Sequence, residues 1–307
     1  MSWKYPRDDK ALHSQWLRRA LKSMPFILQE VATRMAQRVQ VLKPVQGSVL
    51  YQGWLHSGLL PSLQVTFEGR QLVCVAPSQF HNIIQPSMSH SMFAKLTQRW
   101  ACLLNNRGSD VEIQWINPEC LVGSEQNLGI TRDEIAVIWS PLWLQSVSSP
   151  LEMIKNWHAV LKPEGCLFFS SFGPDTAKVL KRVSATLGVQ FPDYLDMHDL
   201  GDLLVLAGFS NPVMEMEKIT LTYRNAETLI QEWRDVMGNC LQHRESGLKG
   251  RGFYANLLHQ LSGQSDRKQG LISLELEVVY GHAWKVRSFG NAKEFAIPIA
   301  SIGRKSI

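Results

Sequence analysis

Spacing decides most of what this 307-residue chain's reactive side chains could do. Nine histidines are scattered, with no H-x-x-x-H and no carboxylate pair at ligand spacing, so no metal centre is expected. Five cysteines, at 74, 102, 120, 166 and 240, include no C-x-x-C, which is the usage of a reducing compartment. Ser170-Ser171 lacks a nucleophile-elbow pattern, and Ser146–Pro150 is a helix cap rather than a phosphate loop. The chain also carries arginines and aromatic residues whose types could bind an anion beside an apolar wall: Arg224, Arg234, Arg244 and Arg251, with Tyr223, Tyr254, Tyr280, His282 and Trp284. A plainer reading competes at each position. Arg224 and Arg251 equally suit a solvated surface, and Tyr280, His282 and Trp284, alternating on one face, equally suit a core. His198-Asp199 equally suits a helix start.

The elements that must position this set follow from apolar periodicity. Ile135–Trp139 is an apolar run closed by Ser140-Pro141, the mark of a buried strand. Ser149-Pro150-Leu151-Glu152 starts a helix: Ser149 caps, Pro150 fits the first position and Glu152 can reach back. Lys162–Gly165 stops it, Leu167–Phe169 is a second strand, and Asp175 or Thr176 caps the next helix. This is a βαβ unit. Upstream, Leu28, Val31, Met35 and Val39 make one stripe of a helix over Pro25–Pro44. Helical segments are expected between Phe80 and Arg107, broken near Pro86, and a strand over Val111–Ile116. Downstream, helices are expected over Asp175–Leu187, His198–Ala207, Ala226–Met237 and Phe253–Leu261, and alternating strands over Pro212–Tyr223 and Leu271–Val279, with a short terminal strand or tail at Phe295–Ile302.

Composition is that of a packed globular chain, with 45% apolar and 19% charged residues. A net charge of +5 permits an acidic partner without being a nucleic-acid signature, and basic and aromatic residues are not interleaved in a patch. No apolar run approaches a membrane span, and the N-terminus lacks a hydrophobic signal core, so a soluble cytoplasmic protein is expected.

Val137–Thr176 resembles class I S-adenosylmethionine (SAM) methyltransferases at their fourth and fifth strands. Met197–Tyr223 (MHDLGDLLVLAGFSNPVMEMEKITLTY) and Leu274–Trp284 (LELEVVYGHAW) resemble the malonyl-acyl-carrier-protein O-methyltransferases of biotin synthesis. The likeness runs from about Phe26 to Arg304, specific across Trp139–Trp284 and weak across Pro44–Gly129. It implies a Rossmann-like α/β fold: a mostly parallel sheet with its last strand antiparallel, plus a helical lid. It divides the chain into an arm (1–24), a core (25–224), a lid (225–269) and final strands (270–307). The basic and aromatic set becomes the malonyl side, with Arg234 matching an arginine of the family's lid helix.

The same resemblance exposes a deficit. Such enzymes end their first strand V-L-D-x-G-x-G-x-G, where glycines let the loop approach the cofactor's methionine end. Here Tyr51 stands for the acid, Gly53 survives, and Leu55 and Ser57 replace the next two glycines. The second strand should end in an acid for the ribose hydroxyls, and Ala76 stands there. The expectation is therefore a methyltransferase-like protein with impaired or lost SAM binding, acting as a non-catalytic binding or regulatory homologue. Its partner would be acyl carrier protein or a malonyl thioester. The alternative is an active, divergent SAM-dependent O-methyltransferase.

Overall fold

A computed structural model describes residues 7–8, 11, 24–42, 44–54, 63, 65–75, 113–116, 130, 132–236, 241–243, 249–266 and 270–286. Along the chain lie α1 (Phe26–Leu42), β1 (Val49–Tyr51), β2 (Leu72–Val75), β3 (Ile113–Ile116), β4 (Ile135–Ser140), a 3-10 turn (Leu144–Ser146), α2 (Pro150–Val160) and β5 (Leu161–Phe172). Then follow α3 (Lys178–Thr186), α4 (Met197–Leu206), β6 (Ser210–Tyr223), α5 (Ala226–Val236), α6 (Arg251–Ser262) and β7 (Ile272–Trp284). The strands form one seven-stranded sheet in the order β3-β2-β1-β4-β5-β7-β6. β1 to β5 run parallel, and β7 runs antiparallel between β5 and β6. The expected α/β sheet with an antiparallel final strand is what the chain forms.

Apolar runs make these strands because both faces are covered. Every residue of β4 is buried, and so are all those of β1 and β2. On α1 the stripe Leu28, Val31, Met35 and Val39 is 0–4% exposed. Burying one such side chain contributes roughly 1.5–3 kcal/mol. The charged face of α1 is tied to β6: Arg38 pairs with Glu215 at 2.7 Å, and Arg34 pairs with Glu217 and Glu30.

Local signals hold at α2 with one departure. Ser149 accepts from the Glu152 amide at 3.4 Å and Pro150 opens the helix. The Glu152 side chain does not reach back; it pairs with Lys155 at 2.9 Å. Trp157 rather than His158 is the fully buried member of its face.

Two other expectations are corrected. Lys162–Gly165 ends the helix but does not separate it from the strand, since β5 begins at Leu161. Leu161 pairs with Ile135 and the register then slips before Cys166 meets Val137, with Glu164 at φ 66° absorbing the irregularity. Neither Asp175 nor Thr176 caps α3. Asp175 pairs with Lys178, Thr176 donates its hydroxyl to the Glu277 carbonyl, and left-handed Ala177 occupies the cap position. At α4 the cap is Asp196, which accepts from the Asp199 amide at 2.7 Å and leaves His198 in the first turn. The expected helical segments between Phe80 and Arg107 and the tail at Phe295–Ile302 lie outside the described residues.

Candidate functional site

Parallel α/β sheets bind ligands at the carboxyl ends of their strands. Here that edge is formed by Tyr51, Ser140 and Phe172, ending β1, β4 and β5. Its two sides are built differently.

At the end of β1 the space is filled by the chain's own rings. Tyr51 is 0% exposed and donates its hydroxyl to the Trp54 carbonyl at 2.7 Å. A Cβ placed on Gly53 would lie 2.8 Å from that hydroxyl oxygen. Glycine is thus required at 53 to admit the phenol. Tyr51 lies 5.9 Å from Trp139, which Phe67 meets edge-on at 6.1 Å. Trp54 meets Trp143 edge-on at 5.2 Å. Gln52, 0% exposed, accepts from the Trp157 indole at 2.6 Å and lies 3.3 Å from the Met153 sulfur, which fastens the turn to α2. Burial raises the Tyr51 phenol well above its ordinary pKa and pushes the Cys74 thiol up to about 12, so both stay neutral. These groups supply hydrophobic packing and no anion for a ribose or a sulfonium.

At the end of β5 the rings frame a surface instead. Phe172 meets Tyr194 edge-on at 5.8 Å and stacks with Trp233 of α5 at 6.1 Å, and Phe191 stacks on Trp233 at 5.7 Å. Tyr223 donates to Glu232 at 2.8 Å, fastening α5 to β6. A crevice lined by Phe26, Ile27, Tyr223, Trp233 and Leu274 has a volume of about 10 Å³. That is room for about one water. The loop after β5 is set by Glu277, whose carboxylate accepts from the Asp175 amide at 2.9 Å and would lie 2.5 Å from a Cβ on Gly173.

The sequence-derived candidates divide between places. Tyr223 stands at the β5 edge. Tyr280 and His282 lie together in a cleft of about 10 Å³ with Met35, Arg38 and Phe168, away from that edge. Phe172 pairs with Val278 but Phe168 with His282, which puts His282 four residues, roughly 13 Å, back along the strand. His282 stacks on Phe168 at 5.9 Å, and the Arg38 guanidinium sits 4.1 Å above the Tyr280 ring. Burial, with the Arg38 charge, lowers the His282 pKa against the pull of Glu215. Arg224, Arg234 and Arg251 are exposed. Tyr254 is exposed on α6, where Lys249 lies 4.3 Å from the Phe253 ring. Leu55, Ser57, Ala76 and Arg244 lie outside the described residues. Sequence reasoning missed Arg7, Asp193, Phe172, Trp233 and Glu277. Gly173-Pro174-Asp175 was the one local hint of a shaped loop; Arg7 sits in a polar arm with no periodicity to announce it. Among the described residues no histidine, cysteine and carboxylate group could hold a metal ion, and no helix is long and apolar enough to cross a membrane.

Comparison with known proteins fixes the relationship. The chain is 32% identical over 285 residues to the malonyl-[acyl-carrier protein] O-methyltransferase of Gallionella capsiferriformans, covering 91% of each chain. It belongs to the malonyl-[acyl-carrier protein] O-methyltransferase family. Family members from Nitrosospira multiformis (30% over 260 residues, 83% of this chain and 81% of that one) and Laribacter hongkongensis (29% over 266, 83% and 82%) agree. Among solved structures, the YcgJ protein of Bacillus subtilis superposes with a TM-score of 0.52 at 11% identity, over 84% of this chain and 99% of that one, which supports the fold alone. No family model matches the chain.

Proposed function

We propose that this chain retains its family's malonyl-thioester and carrier-protein side while having given up SAM, and serves as a non-catalytic binding or regulatory homologue in biotin synthesis. One observation carries the reading: the Tyr51 phenol occupies the space that Gly53 would otherwise leave to a cofactor. The fit fails in charge as well as in volume. The end of β1 offers a neutral buried phenol where the family pattern has a carboxylate. Ala76 replaces the acid that would accept from the ribose hydroxyls, a lost contact that costs roughly 1–3 kcal/mol.

The substrate side has what a malonyl group needs. In an active relative the sulfonium supplies an electrophilic methyl and the malonyl carboxylate is already an anion, so the protein's work is orientation and exclusion of water. Phe172, Tyr194 and Trp233 give apolar walls, with Tyr223 and Glu232 fixing the helix above them. In this reading residues 225–269 act as a lid, and its basic residues Arg244, Lys249 and Arg251 meet the acidic carrier protein. The reading places the protein in the cytoplasm with a carrier-protein partner.

The test is a pair of assays on the full chain. Malonyl-acyl carrier protein should be captured by the protein, and no methyl ester should form when SAM is added. Charge reversal at Arg244, Lys249 and Arg251 should weaken capture; unchanged capture removes the basic lid from the reading. Identity across 91% of an enzyme's length favours the alternative of an active divergent O-methyltransferase. Methyl-ester formation from SAM would establish it.

A further inference from the structure

The N-terminal arm delivers a buried cation to the β5 edge. The Arg7 side chain is 2% exposed. Its Nε donates to the Gln145 carbonyl at 3.1 Å, in the turn after β4. Its Nη2 donates to the Asp193 carbonyl at 2.6 Å, and its Nη1 reaches the Asp193 carboxylate at 3.3 Å. The Arg7 backbone bridges Leu241, beyond α5, and Asp8 accepts from the Ala11 amide at 3.2 Å. The guanidinium therefore ties the turn after β4 to the segment at Asp193, while the Arg7 backbone ties the arm to Leu241.

The distances rank the contacts. Charge-assisted bonds are usually about 2.7–2.9 Å, and the Asp193 carboxylate contact is longer than that. The two backbone carbonyls hold the guanidinium in place, so the carboxylate can leave without moving the cation. Of the two partners it is Asp193 that water reaches, its side chain being 23% exposed against 2% for Arg7. Asp193 stands between Phe191 and Tyr194, whose rings pack on Trp233 and Phe172. A cation with an exchangeable carboxylate, beside apolar walls, suits an acyl chain ending in a carboxylate.

We propose that Arg7 is the seat of the terminal carboxylate of a malonyl thioester, which binds by displacing the Asp193 carboxylate. Asp193 is thus an internal competitor for the guanidinium. The inference rests on the malonyl-thioester reading above and adds the residue that would select for the carboxylate.

Calorimetric titration of the full chain with malonyl-pantetheine and acetyl-pantetheine tests it. Asp193→Asn should bind malonyl-pantetheine about threefold tighter, because a rival exposed-side charge is removed. Arg7→Ala should bind it roughly tenfold or more weakly, as expected for a lost hydrogen-bonded charge, and Arg7→Lys should fall between. Affinity for acetyl-pantetheine should not follow this order. Should Arg7→Ala fail to fold, Asp193→Asn and Arg7→Lys still decide. Malonyl-pantetheine binding that Asp193→Asn does not tighten, or an equal response to both thioesters, overturns the exchange while leaving the malonyl reading standing. Wild-type protein that binds neither thioester overturns both.

Discussion

The two sides of the sheet's carboxyl edge are a contrast in how one fold packs its strand ends. At β1 and β4, Tyr51, Trp54, Trp139 and Trp143 are 0–2% exposed and pack on one another. At β5 to β7, rings of equal size frame a rim with charged groups around it: Glu232, Arg7, Asp193 and Glu277. Both arrangements satisfy the sheet, because apolar strands covered by helices are stable whatever lies at their ends. The topology is therefore indifferent to the chemistry at its strand ends, and on the proposed reading the fold persists while one ligand site is given up and its neighbour is kept.

The sharpest way to break this contrast is to restore the acid. Tyr51→Asp should lower stability by about 3–5 kcal/mol, through loss of a buried ring and burial of a carboxylate, and should not create SAM binding. Chemical denaturation measures the first and calorimetry the second; a stable variant that gains SAM would mean the site is merely masked. Phe172→Ala on the other side should cost about 3 kcal/mol by the same measurement, and should also weaken malonyl-thioester binding, which Tyr51→Asp-type packing defects at β1 should not do selectively. Gln52→Leu should cost about 1–3 kcal/mol by leaving the Trp157 indole without its acceptor, and should leave thioester binding unchanged.

The smallest expected effect concerns pH. Burial holds the His282 imidazole below its ordinary value of 6.5. The unfolded chain therefore takes up more protons than the folded one as pH falls through about 6.5, and stability declines from there downward. The melting temperature should drop between pH 7.5 and 5.5, and His282→Asn should flatten that slope. An unchanged slope would assign the proton uptake elsewhere, His158 being the other imidazole that burial lowers among the described residues.

How much of this was legible in the sequence follows the same division. Where the chain alternates or runs apolar for long stretches, as in β6 and β7 or α1, pattern and structure agree because burial enforces the pattern. The strand β5 began earlier than expected because a left-handed Glu164 lets Lys162-Pro163 stay in the sheet, an irregularity no period encodes. The start of α4 reads one residue late, at His198 rather than Met197, because His198-Asp199 suits a helix start and no period marks Asp196 as the cap. At the site, the missing acid and the bulky loop residues could be seen because a motif defines what should be there. Which ring filled the gap could not, because Tyr51 reaching back to the Trp54 carbonyl is a tertiary choice. Arg7 was illegible for a different reason: its partners lie 138 and 186 residues away, and a lone arginine in a polar arm has no pattern.

Titration of the purified full chain with SAM by isothermal calorimetry bears most directly on the claim that the chain's own aromatic rings have taken the cofactor's room. The account predicts no measurable heat of binding at SAM concentrations up to about 1 mM, a ceiling of about −4.1 kcal/mol. Saturable binding in the micromolar range would contradict it and return the chain to the active transferases of its family.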